Sequence, residues 1–147
     1  TILRAARAEI AEHGGGGLSM RAVAREVGMV SSAVYRYFPT REALLTAMII
    51  ESYGNLAAAL GQVAGTRPAA QWCGLGRAVR GWARANPHEF QLIYGTPIPG
   101  YVAPPETVPA AAAVAASRIL NRYPPIIHEA ILYDLYLASN TLCSICK

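Results

Sequence analysis

At 147 residues the chain suits one compact unit or two small ones packed together. It is 53% hydrophobic and 15% charged, with mean hydropathy +0.25, a balance that points to a large partner interface or an apolar ligand cavity, and no apolar run reaches the ~18 residues of a membrane span. The net charge of +4 divides evenly, +2 in residues 1–50 and +2 in the remainder, so charge alone does not establish nucleic-acid binding and a motif has to carry that claim.

Residues 2–13 have the spacing of a helix, with Ile2, Leu3, Ala6 and Ile10 on one side. Gly14 to Gly17 break it. No Lys-Ser or Lys-Thr follows these glycines, which excludes a phosphate-cradling P-loop; the sequence predicts a helix cap at Gly14 and a loose, mobile loop to Ser19.

From Ser19 to Leu45 the pattern tightens. Met20, Val23, Ala24 and Val27 occupy i, i+3, i+4 and i+7 of a short helix, capped by the Ser19 hydroxyl and ended by Gly28. A second short helix follows within two or three residues and carries Ser31, Ser32, Tyr35 and Arg36. Two short helices about a tight turn form a helix-turn-helix, whose second helix enters the major groove of DNA. Pro39-Thr40-Arg41-Glu42 then opens a long helix, Thr40 as N-cap and Glu42 at the positive end of the dipole. Its stripe of Leu45, Met48, Ile49, Ser52, Tyr53, Leu56 and Leu60 extends the helix to about Val63.

Gly65-Thr66-Arg67-Pro68 marks a turn and a domain boundary. The next helix places Trp72, Leu75, Val79 and Trp82 on one face and ends near Ala85. Asn86-Pro87-His88-Glu89 has the form of a helix start, with Asn as N-cap, Pro at the first position and Glu at the third, and Phe90, Ile93 and Tyr94 face inward. Residues 95–106 hold four prolines and two glycines and form a long loop. Helix resumes over Pro109 to Asn121 and again over Pro125 to Leu142. No alternating strand pattern occurs, so the fold class is all-α.

The residues Ser19-Met20-Arg21-x-Val23-Ala24, Gly28, Val34-Tyr35-x-Tyr37-Phe38 and Arg41-Glu42-x-Leu44-Leu45 resemble the tetracycline-repressor (TetR) family of one-component bacterial regulators. The spacing of Trp82, Pro87-His88, Phe90 and Tyr94-Gly95-Thr96-Pro97 is similar to a subtype of that family's C-terminal domains marked by Trp, His and Gly. One departure stands at Val30, where the family has serine or a similar N-cap; valine cannot cap, which leaves Ser31 or water to do so. The resemblance implies a DNA-binding domain over 1–45 and a helical ligand-binding and dimerisation domain over 46–147. It also implies a homodimer on a palindromic operator in double-stranded DNA, a small-molecule effector, no catalysis and no cofactor.

The candidate DNA-binding residues are Ser19, Arg21, Ser31, Ser32, Ala33, Tyr35, Tyr37 and Arg41. Serines at the helix tip can bond bases or phosphates, the Ala33 methyl can touch a thymine methyl, and phenols suit phosphate oxygens. Arg21 can reach a phosphate or a guanine edge, and Arg41 the far phosphates. Val34 and Phe38, four apart, are core positions; Tyr35 and Tyr37 suit packing as well as phosphate contact, and Arg36 suits solvent. The candidate ligand-binding residues are Trp72, Trp82, His88, Phe90, Tyr94 and Tyr101, an aromatic group suited either to an apolar effector pocket or to core.

Other chemistry fits poorly. His88-Glu89 and His128-Glu129 begin like a zinc-protease helix, but Leu92 and Leu132 stand where the second histidine belongs. Cys143-x-x-Cys146 has no second pair and no nearby histidine, and with Cys73 it reads as reduced thiols in a cytoplasmic protein without a signal peptide. No metal site is assigned. Dimerisation is placed on the last two helices, with Ile119, Ile127, Ile131, Leu135 and Leu142 as candidates. The competing reading is a helical ligand-binding or scaffold protein that does not bind DNA, and the modest, evenly spread charge favours it.

Overall fold

A computed structural model describes residues 1–63 and 68–115. Every α or 3-10 element among them is helical, and no strand occurs there: α1 (Ile2–His13), α2 (Met20–Glu26), α3 (Ser31–Tyr37), α4 (Arg41–Gly61), α5 (Pro68–Ala85), α6 (Pro87–Tyr94) and α7 (Val108–Ala115), with 3-10 turns at Gly15–Gly17 and Pro105–Thr107. The dimerisation residues Ile119, Ile127, Ile131, Leu135 and Leu142, the final helix and the Cys143/Cys146 pair lie outside the described residues.

The described residues divide into two compact units, one made of residues 1–52 and 86–108, the other of 53–63, 68–85 and 109–115. In the first, α1, α2, α3 and the opening of α4 surround a core of Ala6, Ile10, Met20, Val23, Ala24, Val34, Leu44, Leu45 and Met48. Val23, Val34, Leu44 and Leu45 are wholly buried. The apolar periodicity of each short helix supplies one face to this core, and burial rather than helix propensity holds seven-residue helices in place. Leu92, Ile98 and Tyr101, from α6 and the loop after it, pack against the same core.

Three further links join elements within this unit. Arg7 of α1 faces Glu51 of α4 at 2.7 Å and Glu89 of α6 at 3.5 Å. The Arg7–Glu51 contact is an ion pair whose alignment falls outside hydrogen-bond geometry. The buried Thr46 hydroxyl of α4 and the Tyr101 phenol share a hydrogen bond of 2.9 Å.

In the second unit the later turns of α4 bury Leu56 and Leu60, α5 buries Leu75, Val79 and Trp82, and α7 buries Val114. Gly74 lets α5 come close to the end of α4, since a Cβ there would stand 2.8 Å from Val63 Cγ1. Among the described helices only α4 is long and apolar enough to cross a membrane, and its apolar residues Leu44, Leu45, Met48, Leu56 and Leu60 are instead buried core.

One helix boundary and one helix cap differ from the sequence expectation. α4 ends at Gly61, two residues early, where Val63 N–H turns back to the Leu60 carbonyl. α6 begins at Pro87 as expected, but the Asn86 side chain does not cap it; the Asn86 carbonyl accepts from Phe90 N–H at 3.0 Å and the fixed φ of proline sets the first turn.

Candidate nucleic-acid interface

The turn between α2 and α3 follows from Gly28. α2 is capped at its start by Ser19, whose Oγ accepts from Ala22 N–H at 3.3 Å. At its end Gly28 takes φ +66°, Gly28 N–H donates to the Arg25 carbonyl and Met29 N–H to the Ala24 carbonyl at 2.9 Å. This pair of crossed bonds is a Schellman cap, which only a residue tolerant of positive φ closes without strain. Met29 then packs against the core of the unit.

α3 starts at Ser31 with Val30 in the N-cap position. Val30 is extended, its carbonyl accepts from Ala33 N–H at 2.9 Å, and its side chain caps nothing; Ser31 lies inside the helix and does not take over the role. One face of α3 is sealed by Val34. The rest of its circumference is open: Ser32, Arg36, Tyr35 (44% exposed) and Tyr37 (68% exposed) are exposed, with Ser31 and Ala33 partly exposed. Arg21, on the first turn of α2, is exposed as well. Seven of the eight candidate DNA-binding residues, Ser19 through Tyr37, thus sit on α2, α3 or the residue that caps α2, with exposed or partly exposed side chains.

Arg41 is placed differently. Its guanidinium donates from Nη2 to the carbonyls of Gly15 (2.7 Å) and Gly16 (3.0 Å) and from Nε to the carbonyl of Leu18 (3.2 Å), and Nη1 lies 3.8 Å from the Glu42 carboxylate. The glycine segment, expected to run loose, forms a 3-10 turn closed by Gly17 N–H to the Gly14 carbonyl, and Arg41 takes up the carbonyls on its inner side. The planar fork of arginine is suited to several acceptors at once. No spacing rule links residues 26 apart, so this role was not visible in the sequence.

The six candidate ligand-binding residues fall in both units. Trp82 is buried and Trp72 is 39% exposed on α5 of the second unit. In the first, His88 is exposed, the Phe90 and Tyr94 rings lie 5.3 Å apart on one face of α6, and Tyr101 is engaged by Thr46. Arg7, Thr46, Glu51, Glu89 and Ile98 tie the unit together and were missed, because each acts through a partner more than twenty residues away.

Two family profiles match the chain. One, described as bacterial regulatory proteins, tetR family, matches residues 2–48; the other, described as tetracyclin repressor-like, C-terminal domain, matches residues 72–124. The chain is 44% identical over 126 residues to the HTH-type transcriptional regulator Rv1816 of Mycobacterium tuberculosis (strain ATCC 25618 / H37Rv), an alignment covering 83% of this chain and 52% of that protein. It therefore spans about half the length of the curated relatives it matches. Among solved structures it is similar to SCO4313, a candidate regulatory protein, with TM-score 0.70, 32% identity, and 92% of this chain and 68% of that chain covered. It is also similar to a protein of unknown function from Rhodococcus sp. RHA1, with TM-score 0.74, 27% identity, and coverage of 94% and 80%.

Proposed function

The chain belongs to the tetR family of bacterial regulatory proteins, and from that premise we propose that it is a one-component transcriptional repressor. It acts in the cytoplasm, binds a palindromic operator as a homodimer, and leaves it when a small apolar or aromatic effector binds. The observation that carries the reading is α3, a short helix anchored by the buried Val34 and leaving Ser32, Tyr35 and Tyr37 exposed around the rest of its surface. Its residues and those of α2 meet the needs of a groove reader: hydroxyls and a methyl for base edges, phenols and Arg21 for phosphates. Residues 1–45 are the reading domain. Residues 46–147 sense the effector and dimerise, with Trp72 and Trp82 as candidate pocket residues and the subtype marked by Trp82, His88 and Gly95 as its class.

Two-fold symmetry sets the operator geometry, with half-sites about one helical turn, roughly 34–36 Å, or a multiple of it apart. The effector must bind the DNA-bound and free forms with different affinity, since only a differential affinity moves the equilibrium.

Selection of bound duplexes from a random pool tests the whole reading. The expected product is a palindrome, bound with a steep fall of log affinity against log salt as phosphate counterions are released. A flat salt dependence, or no retained duplex at low salt, overturns it in favour of a helical ligand-binding or scaffold protein. Calorimetry that finds equal effector affinity with and without operator overturns release by effector alone.

A further inference from the structure

Val30 has no role in the core and none in capping. It sits at the N-cap of α3 with its side chain 70% exposed. A serine, threonine or aspartate there would satisfy an orphan N–H of the first turn and stabilise the helix. The chain instead holds an isopropyl group in water at the tip of the element that reads DNA.

That group is fixed in place. The residue before it is bound through Met29 N–H to the Ala24 carbonyl, and the Val30 carbonyl is bound by Ala33 N–H. Valine is also stiff about χ1, so little rotamer freedom is lost when a partner covers it. The first residues of a recognition helix are the ones that reach base edges. On those edges nearly every group is a hydrogen-bond donor or acceptor, and the apolar exception is the C5 methyl of thymine.

We infer that Val30 is a specificity-determining residue that reads a thymine methyl in each operator half-site. The inference rests on the proposed DNA binding. It is separate from the role of Ala33, one turn further along, whose smaller methyl would select a different thymine. Covering one methyl is worth about 0.8 kcal/mol, roughly a fourfold change in affinity.

The test uses the duplex that the wild-type protein selects from a random pool, with its thymines replaced one at a time by deoxyuridine, which removes the methyl and nothing else. The expected result is a single thymine per half-site at which wild type loses about fourfold. The same replacement should cost Val30→Ala and Val30→Ser less than about twofold, while Ala33→Gly keeps the wild-type loss there. Both Val30 variants should fold as wild type does by circular dichroism, since the side chain is exposed. Wild-type binding that is indifferent to deoxyuridine at every thymine overturns the inference and leaves DNA binding standing. So does a loss that persists undiminished in both Val30 variants. Failure of wild type to retain any duplex overturns the DNA-binding reading itself, and this one with it.

Discussion

The Arg41 guanidinium reaches back 26 residues to the Gly15 carbonyl at 2.7 Å, closing the turn between α1 and α2 from the start of α4. With the bonds to Gly16 and Leu18 it forms a charged clasp, and hydrogen bonds to a charged group contribute more than neutral ones. Arg41→Ala is expected to lower unfolding free energy by about 1–2 kcal/mol in urea denaturation. Arg41→Lys keeps the charge but not the fork, and should recover less than half of that loss. Lysine would serve a phosphate contact well as a point charge, so wild-type stability in both variants, with operator affinity lost in Arg41→Ala and kept in Arg41→Lys, would assign Arg41 to phosphate contact rather than to the clasp.

Ser19 and Val30 hold equivalent positions before consecutive helices, and only Ser19 caps. Substitution should therefore move stability in opposite directions. Ser19→Ala removes the bond to Ala22 N–H and should cost about 1 kcal/mol, whereas Val30→Ser supplies a missing cap and should gain up to ~1 kcal/mol. Thermal unfolding of the two variants beside wild type decides it; equal and same-signed shifts would mean that water satisfies both helix starts.

Gly15 is set by the chain that packs over it. A Cβ at this position would lie 2.8 Å from Ile98 Cδ1 and 3.0 Å from Ile98 Cγ1, within the first unit. Gly15→Ala should cost about 1 kcal/mol, moderated because the isoleucine end can turn aside. Ile98→Val removes the Cδ1 atom, so the double variant should be more stable than the two single losses predict, by roughly 0.5 kcal/mol or more in a double-mutant cycle. Strict additivity would place the cost of Gly15→Ala in the turn's own backbone.

The Tyr35 phenol, nearly half exposed on the open face of α3, is the chosen probe of phosphate contact. Tyr35→Phe should weaken operator binding by about 1 kcal/mol, the net worth of one hydrogen bond, with little change in stability because the ring keeps its packing. Unchanged affinity at several salt concentrations would assign Tyr35 to packing alone.

What could be read in advance was local. The periodicity of Met20, Val23 and Ala24, the caps at Ser19 and Thr40 and the glycine at 28 depend on neighbours within a few residues, and each appears where the spacing puts it. Arg41, Arg7 and Tyr101 were legible only as residue types, because their partners are set by how distant helices pack. Asn86 shows the limit from the other side: a favoured cap residue stands in the right place, and its side chain makes no capping bond. Val30 was visible as a departure from pattern, and the fold added that its side chain is left in solvent rather than turned into the core.

Tyr53, half-buried on the later turns of α4, makes stability depend on pH at the alkaline end. Burial disfavours the phenolate, so its pKa in the folded protein is raised above the ordinary 10.0. The folded state thus holds the proton more tightly than the unfolded chain. The stabilisation is fully present below the unfolded pKa and is lost as pH rises through the folded one. The informative quantity is the difference between wild type and Tyr53→Phe, in which every other group is held the same. That difference should be constant from about pH 7 to 9 and should move against wild type above about pH 10, where phenylalanine has no proton to lose. Urea midpoints collected across this range give it directly, and a difference that stays flat through pH 11 would mean that the phenolate of Tyr53 finds solvent without unfolding the helix.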